Sequence, residues 1–374
     1  MGKKVISAGH ICLDITPVFP GGHYTKTEDI LMPGKLIQMD EAAVHIGGSV
    51  GNTGLAMKIL GADVSLIART GADVFGEIVR SGMAKYGAGD AIRVVEGGTT
   101  AHSIILAIPG IDRIFLHHPG VNDTFSSEDI EEDILKEATL FHLGYPSVMK
   151  KLYENEGAEL LNILKKVIEY GTVTSVDMAA VDENSPAAKE DWKKILEKTI
   201  PYIDVFMPSV EELCYMLDKS LLEQWKIRAN GRDITEILDI EKDVRPLADT
   251  CLNMGAKILV IKCGVRGIYY CTADETKIAM ISDKLELNVR EWSNQEGFEE
   301  SYQPDKFRSG TGAGDTSIAA FLTALLNDYS LKECVQLAAA TGASCVAAYD
   351  ALSGLKSFEE LEKRIKAGWP KIKM

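Results

Sequence analysis

The sequence predicts an α/β fold: a doubly wound, mostly parallel central sheet flanked by helices, with a small β lid. Three observations predict it. Short apolar runs of strand length alternate with helix-period segments along most of the 374 residues. Two glycine-rich turns, one at 47–52 and one at 310–315, each run into a helical pattern. Two stretches, 16–46 and 97–123, break the alternation with proline, glycine and a hairpin pattern.

Taken in order, "KVISAG" (4–9) opens as a strand, and the early extended run ends near Asp14. Residues 16–46 carry Pro17, Pro20, Gly21, Gly22, Pro33 and Gly34 between short extended pieces. Residues 50–60 have helical spacing, 62–68 are strand-like and 73–87 are helical again. "GGTTAHSIILAIPGIDRIFLHHPGVND" (97–123) reads as a β-hairpin about a "PGID" turn. With 16–46 it forms either a small sheet standing off the main domain or an edge extension of the main sheet. Strands follow at 138–144, 172–178 and 203–209, separated by helices at 155–170 and near 186–199. Helical segments through 210–254 lead to strands at 256–264 and 267–272. The acidic stretch 274–308 reads as an irregular surface insertion. We expect one domain over 1–374, with its lid drawn from about 16–46 and 97–123.

Composition narrows the function. The chain is 46% hydrophobic and 25% charged, which is ordinary for a globular protein. Its formal charge of −15 repels nucleic-acid backbones and anionic membrane surfaces. No apolar run reaches the roughly 18 residues of a membrane helix. The seven cysteines form no CxxC pair and read as reduced thiols in a cytoplasmic protein. The adjacent His117 and His118 lack metal-site spacing and read as structural.

The chemistry concentrates in "RSGTGAGDTSIAAFLTALL" (308–326). A glycine turn feeding a helix N-terminus presents free amides and a positive dipole end, which suit an anion. The P-loop string GxxxxGK is absent, and the turn lies too late, with the wrong spacing, for a dinucleotide fingerprint. Asp315 beside such a site either accepts a proton from a hydroxyl or only caps the helix, and on the turn alone the two readings stand level.

The rest of the chain separates them. "HIGGSVGNTGLAMKILGADVSLIARTGADVFG" (45–76), "HHPGVND" (117–123), "PSVEEL" (208–213) and "VIKCGVRGIYY" (260–270) occur in order with the GAGD turn. This set resembles the ribokinase-like (PfkB) carbohydrate kinases over nearly the whole chain. The resemblance implies ATP-dependent phosphorylation of a sugar hydroxyl with Mg²⁺. It makes Asp315 the general base and the amides of Gly312, Ala313 and Gly314 an anion hole. Asp14, Gly47, Gly48 and Asn52 match sugar-binding positions, and Gly264, Gly267 and Thr311 match nucleotide-binding ones. Glu212 matches the acid of an Asn-x-x-Glu element that influences Mg²⁺, although Ser209 stands where the asparagine is usual. Ser309-Gly310 replaces a common Asp-Thr pair, which puts a monovalent cation in doubt. A homodimer through the lid is the assembly to look for. The alternatives are a nucleoside kinase of the same fold and a silent sugar-binding regulator; the intact GAGD turn argues against the regulator. A nicotinamide oxidoreductase is disfavoured by the missing early fingerprint.

Overall fold

A computed structural model describes residues 2–111 and 113–373. Its strands are β1 (Lys4–Gly9), β2 (Cys12–Val18), β3 (Asp40–Gly47), β4 (Asp63–Gly71), β5 (Ile92–Val95), β6 (His102–Leu106), β7 (Ile114–His118), β8 (Leu140–Gly144), β9 (Val173–Asp177), β10 (Val205–Phe206), β11 (Ile258–Lys262), β12 (Gly267–Thr272) and β13 (Glu296–Glu300). Nine of them form one sheet in the order β13-β12-β11-β10-β9-β8-β1-β4-β5. Neighbours from β11 to β5 run parallel. The last two strands are antiparallel additions at one edge.

Both faces of this sheet are covered, so its central strands are apolar on both sides. Ile6, Phe141, Val176, Leu259 and Ile261 pack under the helices Lys150–Glu169, Trp192–Thr199 and Arg245–Met254. Val5, Leu140, Val173, Ile258 and Val260 face the other layer, built on the helices Ala313–Leu326 and Leu331–Cys345. Helix Ala313–Leu326 is buried along every residue from Asp315 to Leu326, so its sequence is apolar all round.

The chain order reverses at β1, which lies between β8 and β4. In a doubly wound sheet the crevice at the carboxyl ends of the strands beside such a reversal is where ligands sit. β1, β8, β9 and β11 all deliver their last residues there.

The second sheet has the order β3-β2-β6-β7. Its register makes two rows. His45, Asp14, Ser103 and His117 lie directly across from one another, and so do Val44, Ile15, Ile104 and Leu116. Residues opposite in register share a face, so one face carries this polar row and the other this apolar row.

The structure departs from the sequence reading in four places. Asp14 lies inside β2 of the small sheet; the first strand of the main sheet ends at Gly9, with only His10 and Ile11 between. The 203–209 strand shrinks to Val205–Phe206. The 155–170 helix starts at Lys150 and carries non-helical backbone at 154–157. The 274–308 segment is not an irregular excursion: Ile278, Ile281, Leu285 and Trp292 are buried in the core, and Glu296–Glu300 pairs with β12. Its three acids in five residues hid the strand, yet charge on an edge strand is how open edges are kept from pairing further. The hairpin turn expected at "PGID" ends on Asp112, which lies outside the described residues.

Candidate active site

Asp315 sits in the first turn of helix Ala313–Leu326 and is only 6% exposed. Three groups meet its carboxylate. Tyr145 Oη donates to Oδ1 at 2.6 Å, Thr53 Oγ1 donates to Oδ1 at 3.2 Å, and Asn52 Nδ2 donates to Oδ2 at 3.0 Å. An ionised carboxylate offers about four lone-pair positions, so one direction stays open. Asn52 and Thr53 are neighbours, and an ordinary α-turn would aim them some 100° apart. They lie in the wider π-turn Val50–Gly54, which brings both side chains to one carboxylate.

Electrostatics pull Asp315 both ways. Burial raises its pKa above the usual carboxylate range, against the hydrogen bond of Tyr145, the charge of Lys262 and the bonds of Asn52 and Thr53. Lys262, the last residue of β11, bonds Asp177 at the end of β9. Burial works against its ammonium, but the carboxylates of Asp177 and Glu212 outweigh burial and keep it charged.

The glycine turn in front of Asp315 uses its glycines differently. Gly312 has φ +75°, and an added Cβ would fall 2.2 Å from Ala351 Cβ. Gly314 is unconstrained by packing: an added Cβ would make ordinary contact with the Lys262 stem at 3.5 Å. Among the described residues the amides of Gly312 and Gly314 meet no acceptor, whereas Ala313 N bonds Gly310 O at 3.3 Å. The expected anion hole therefore has two uncommitted donors and one engaged in a turn. Thr311, just before it, accepts from Arg113 Nη1 at 2.5 Å and from Ser309 Oγ at 3.0 Å.

Asp14 shares a pocket wall with Asn52, Thr16, His45, Arg113 and Thr311. Cys12 Sγ donates to its Oδ1 at 3.3 Å. Burial raises its pKa, and hydrogen bonds from Cys12 and Ser103 partly offset that. Gly47 is glycine because a Cβ there would lie 2.1 Å from Asp14 Oδ2. Gly48, at φ +79°, passes over His10, whose Nδ1 a Cβ would meet at 2.6 Å. His10 and His117 share a contact of 3.3 Å between their Nε2 atoms, and His117 Nδ1 pairs with Ser103 Oγ at 3.1 Å. Burial, then its histidine neighbours, lowers His117 to about 4, so the pair is neutral at pH 7. His118 pairs instead with Thr99 Oγ1 at 3.0 Å.

The remaining residues singled out in the sequence sit at the same end of the sheet. Glu212 closes a capping box with Ser209, whose amide it accepts at 2.7 Å. This gives the serine that replaces asparagine a role of its own. Gly264 and Gly267 flank the turn after β11; Gly264 passes over Thr235 and Gly267 over the Glu299 carbonyl. Tyr145, Thr53, Asp177, Lys262 and Arg113 were not anticipated.

Residues 22–357 match the pfkB family of carbohydrate kinases. The chain belongs to the PfkB family of carbohydrate kinases. A sugar kinase of Archaeoglobus fulgidus, itself uncharacterised, is 25% identical over 304 residues, covering 80% of this chain and 98% of that one. The 5-dehydro-2-deoxygluconokinase of Clostridium beijerinckii is 23% identical over 372 residues, covering 97% and 92%. Among solved structures, Arabidopsis thaliana ribokinase with ribose and ATP superposes with a TM-score of 0.68 at 18% identity, covering 98% of this chain and 99% of the other. An Escherichia coli chain assigned as a ribokinase II, solved with ATP and Mg²⁺, gives 0.69 at 20% identity over the same shares. This PfkB protein is thus a carbohydrate kinase on a ribokinase fold. Among the described residues no helix is long and apolar enough to cross a membrane.

Proposed function

We propose that this kinase transfers the γ-phosphoryl group of ATP to one hydroxyl of a sugar or sugar acid, with Asp315 as general base. One observation carries the reading: a buried carboxylate, held by three donors with one lone pair left open, stands directly behind the uncommitted amides of Gly312 and Gly314. Phosphoryl transfer relies on positioning and charge stabilisation, which a preset base and a pair of amides supply. Asp14, Asn52, Gly47 and Gly48 hold the non-reacting hydroxyls. The Gly312–Gly314 turn, with Ala313 in a lesser part, cradles the phosphoryl oxygens. Thr311 and the Gly264–Gly267 turn line the nucleotide. Magnesium, when bound, would neutralise phosphate charge, and Glu212, whose charge reaches Lys262, is the acid that would influence it from the helix after β10.

The full-length likeness to a 5-dehydro-2-deoxygluconokinase supports a sugar-like substrate over a nucleoside. The pocket wall offers a polyol the carboxylates of Asp14 and Asp350, the hydroxyls of Thr16 and Ser309 and the guanidinium of Arg113, beside an apolar part made of Ile46, Ile105, Ala107 and Ala351. The test is ATP consumption over pentoses, hexoses, sugar acids, sugar phosphates and nucleosides, with Asp315→Asn as the blank. The reading expects a sugar or sugar acid to give the highest kcat/KM. Preference for a nucleoside would overturn the substrate class, and turnover surviving in the blank would overturn the base.

A second copy of the chain is the partner that fits the apolar face of the small sheet. Val44, Ile104 and Leu116 are 47%, 37% and 53% exposed there, and they lie in register with Ile15. A contiguous exposed apolar row of this kind marks an interaction surface.

A further inference from the structure

We infer that Tyr145 is a positioning residue for the reaction: its hydroxyl fixes the Asp315 carboxylate so that the open lone pair faces the acceptor hydroxyl. The inference rests on the reading of Asp315 as the base.

The backbone supplies the first argument. Tyr145 has φ +66° and ψ +41°, left-handed geometry that is costly for any residue with a Cβ. Pro146 follows it, and the residue before a proline is pushed towards extended backbone, so the conformation is disfavoured twice. Glycine or asparagine would occupy the position with less strain. A bulky aromatic residue held there signals that its side chain is needed.

That side chain makes the shortest of the three bonds to Asp315, at 2.6 Å. The turn around it is built to aim it. Tyr145 N donates to the Asp177 carbonyl at 3.1 Å, and Val148 N donates to the Tyr145 carbonyl at 3.1 Å. Gly144, just before it, passes so close to Ser49 that a Cβ would fall 1.5 Å from Oγ. The backbone next to Asn52 and the backbone carrying Tyr145 are thereby packed against each other, and both side chains reach the same carboxylate. Thr53 and Tyr145 share Oδ1 while Asn52 takes Oδ2, so losing the tyrosine hydroxyl leaves Oδ1 held only by the longer 3.2 Å bond from Thr53 and the carboxylate less firmly oriented.

The charged and titratable groups that also act on Asp315 are Lys262 and Asp177 from the main sheet, Asp14 and Cys12 from β2, and Cys345 from the helix behind, while Glu212 acts on Lys262, Asp177 and Tyr145. His10 stands beside the Tyr145 ring, at 6.0 Å between centroids, and burial keeps it neutral.

The test is Tyr145→Phe, which keeps the ring and removes the donor. We expect kcat to fall about ten- to a hundredfold, the effect of one hydrogen bond to a charged group, with sugar KM little changed. With one donor fewer stabilising the ionised form, the acid limb of the kcat/KM profile should move to higher pH. A tyrosine that served only packing would leave that limb in place. If Tyr145→Phe leaves both kcat and the limb unmoved while Asp315→Asn is inactive, this inference falls and the base reading stands. If Asp315→Asn keeps its activity, the base reading itself falls. Should the phenylalanine variant fail to fold, 3-fluorotyrosine placed at 145 alone serves instead. Its more acidic hydroxyl is a stronger donor and should move the acid limb to lower pH; an unmoved limb overturns the inference.

Discussion

At the scale of single residues, Asp315 couples activity and stability with opposite signs. On the proposed base role the reaction needs the ionised carboxylate, so kcat/KM should fall as pH drops through its pKa. Burial has raised that pKa, which sets the fall at a higher pH than an exposed aspartate would give. The same shift means that folding favours the protonated form. The ionised group therefore costs stability above its folded pKa, and the cost is relieved as pH falls through it. Asp315→Asn should accordingly lose about 10²–10⁴-fold in turnover, yet melt at neutral pH no lower than the parent chain. A clear drop in Tm would show that the carboxylate stabilises the fold and that its burial is not the dominant effect. Asp14→Ala belongs to the same scale: removing one buried partner of a sugar hydroxyl costs about 1–3 kcal/mol. Initial-rate kinetics should show sugar KM rising about tenfold or more while ATP KM holds; equal losses for both would make Asp14 structural. Asp315 stood out in the sequence because the GAGD turn carries it, and Asp14 because the family resemblance points to it. Tyr145, Asp177 and Lys262 did not, because each stands at or just past the end of a different strand, and only the order of strands in the sheet brings them together. Nor does any local pattern announce a left-handed tyrosine.

At the scale of elements, the 310–315 turn divides its labour in a way that substitution can expose. Gly312→Ala must place a Cβ in left-handed backbone and against Ala351, so it should destabilise the fold by about 1–2 kcal/mol or more. Gly314→Ala meets only the flexible stem of Lys262 and should melt like the parent while turnover drops, because the added methyl fills the cradle. Thermal melts and initial rates on the two variants separate these outcomes. Full activity in a folded Gly314→Ala protein would remove the turn from the anion-binding role. The element patterns themselves were readable wherever apolar period and turn residues agreed, as in β1, β8, β9 and the buried helix 313–326. They were unreadable in β13, where an edge position reverses the usual rule and fills a strand with glutamate.

At the scale of the whole molecule, the small sheet turns His45, Asp14, Ser103 and His117 to one side and Val44, Ile15, Ile104 and Leu116 to the other. If the apolar side pairs with a second copy, light scattering should give the mass of a dimer, and Leu116→Lys should convert it to a monomer without lowering Tm. A parent chain that is monomeric at micromolar concentration would end that proposal. The position of β1 carries a further consequence, for the birth of the molecule. β1 is synthesised before both of its neighbours yet belongs in the middle of the sheet, where Val5 must lie opposite both Val64 and Leu140. Until β8 has been synthesised, one side of β1 is an open template of unpaired backbone, and long-range parallel pairing is slow to form. Asp315 follows much later still. A nascent chain stalled before it would carry a largely assembled sheet around an unfinished catalytic centre, exposing the apolar surface that helix 313–326 is destined to cover, and so would be a natural client for chaperones.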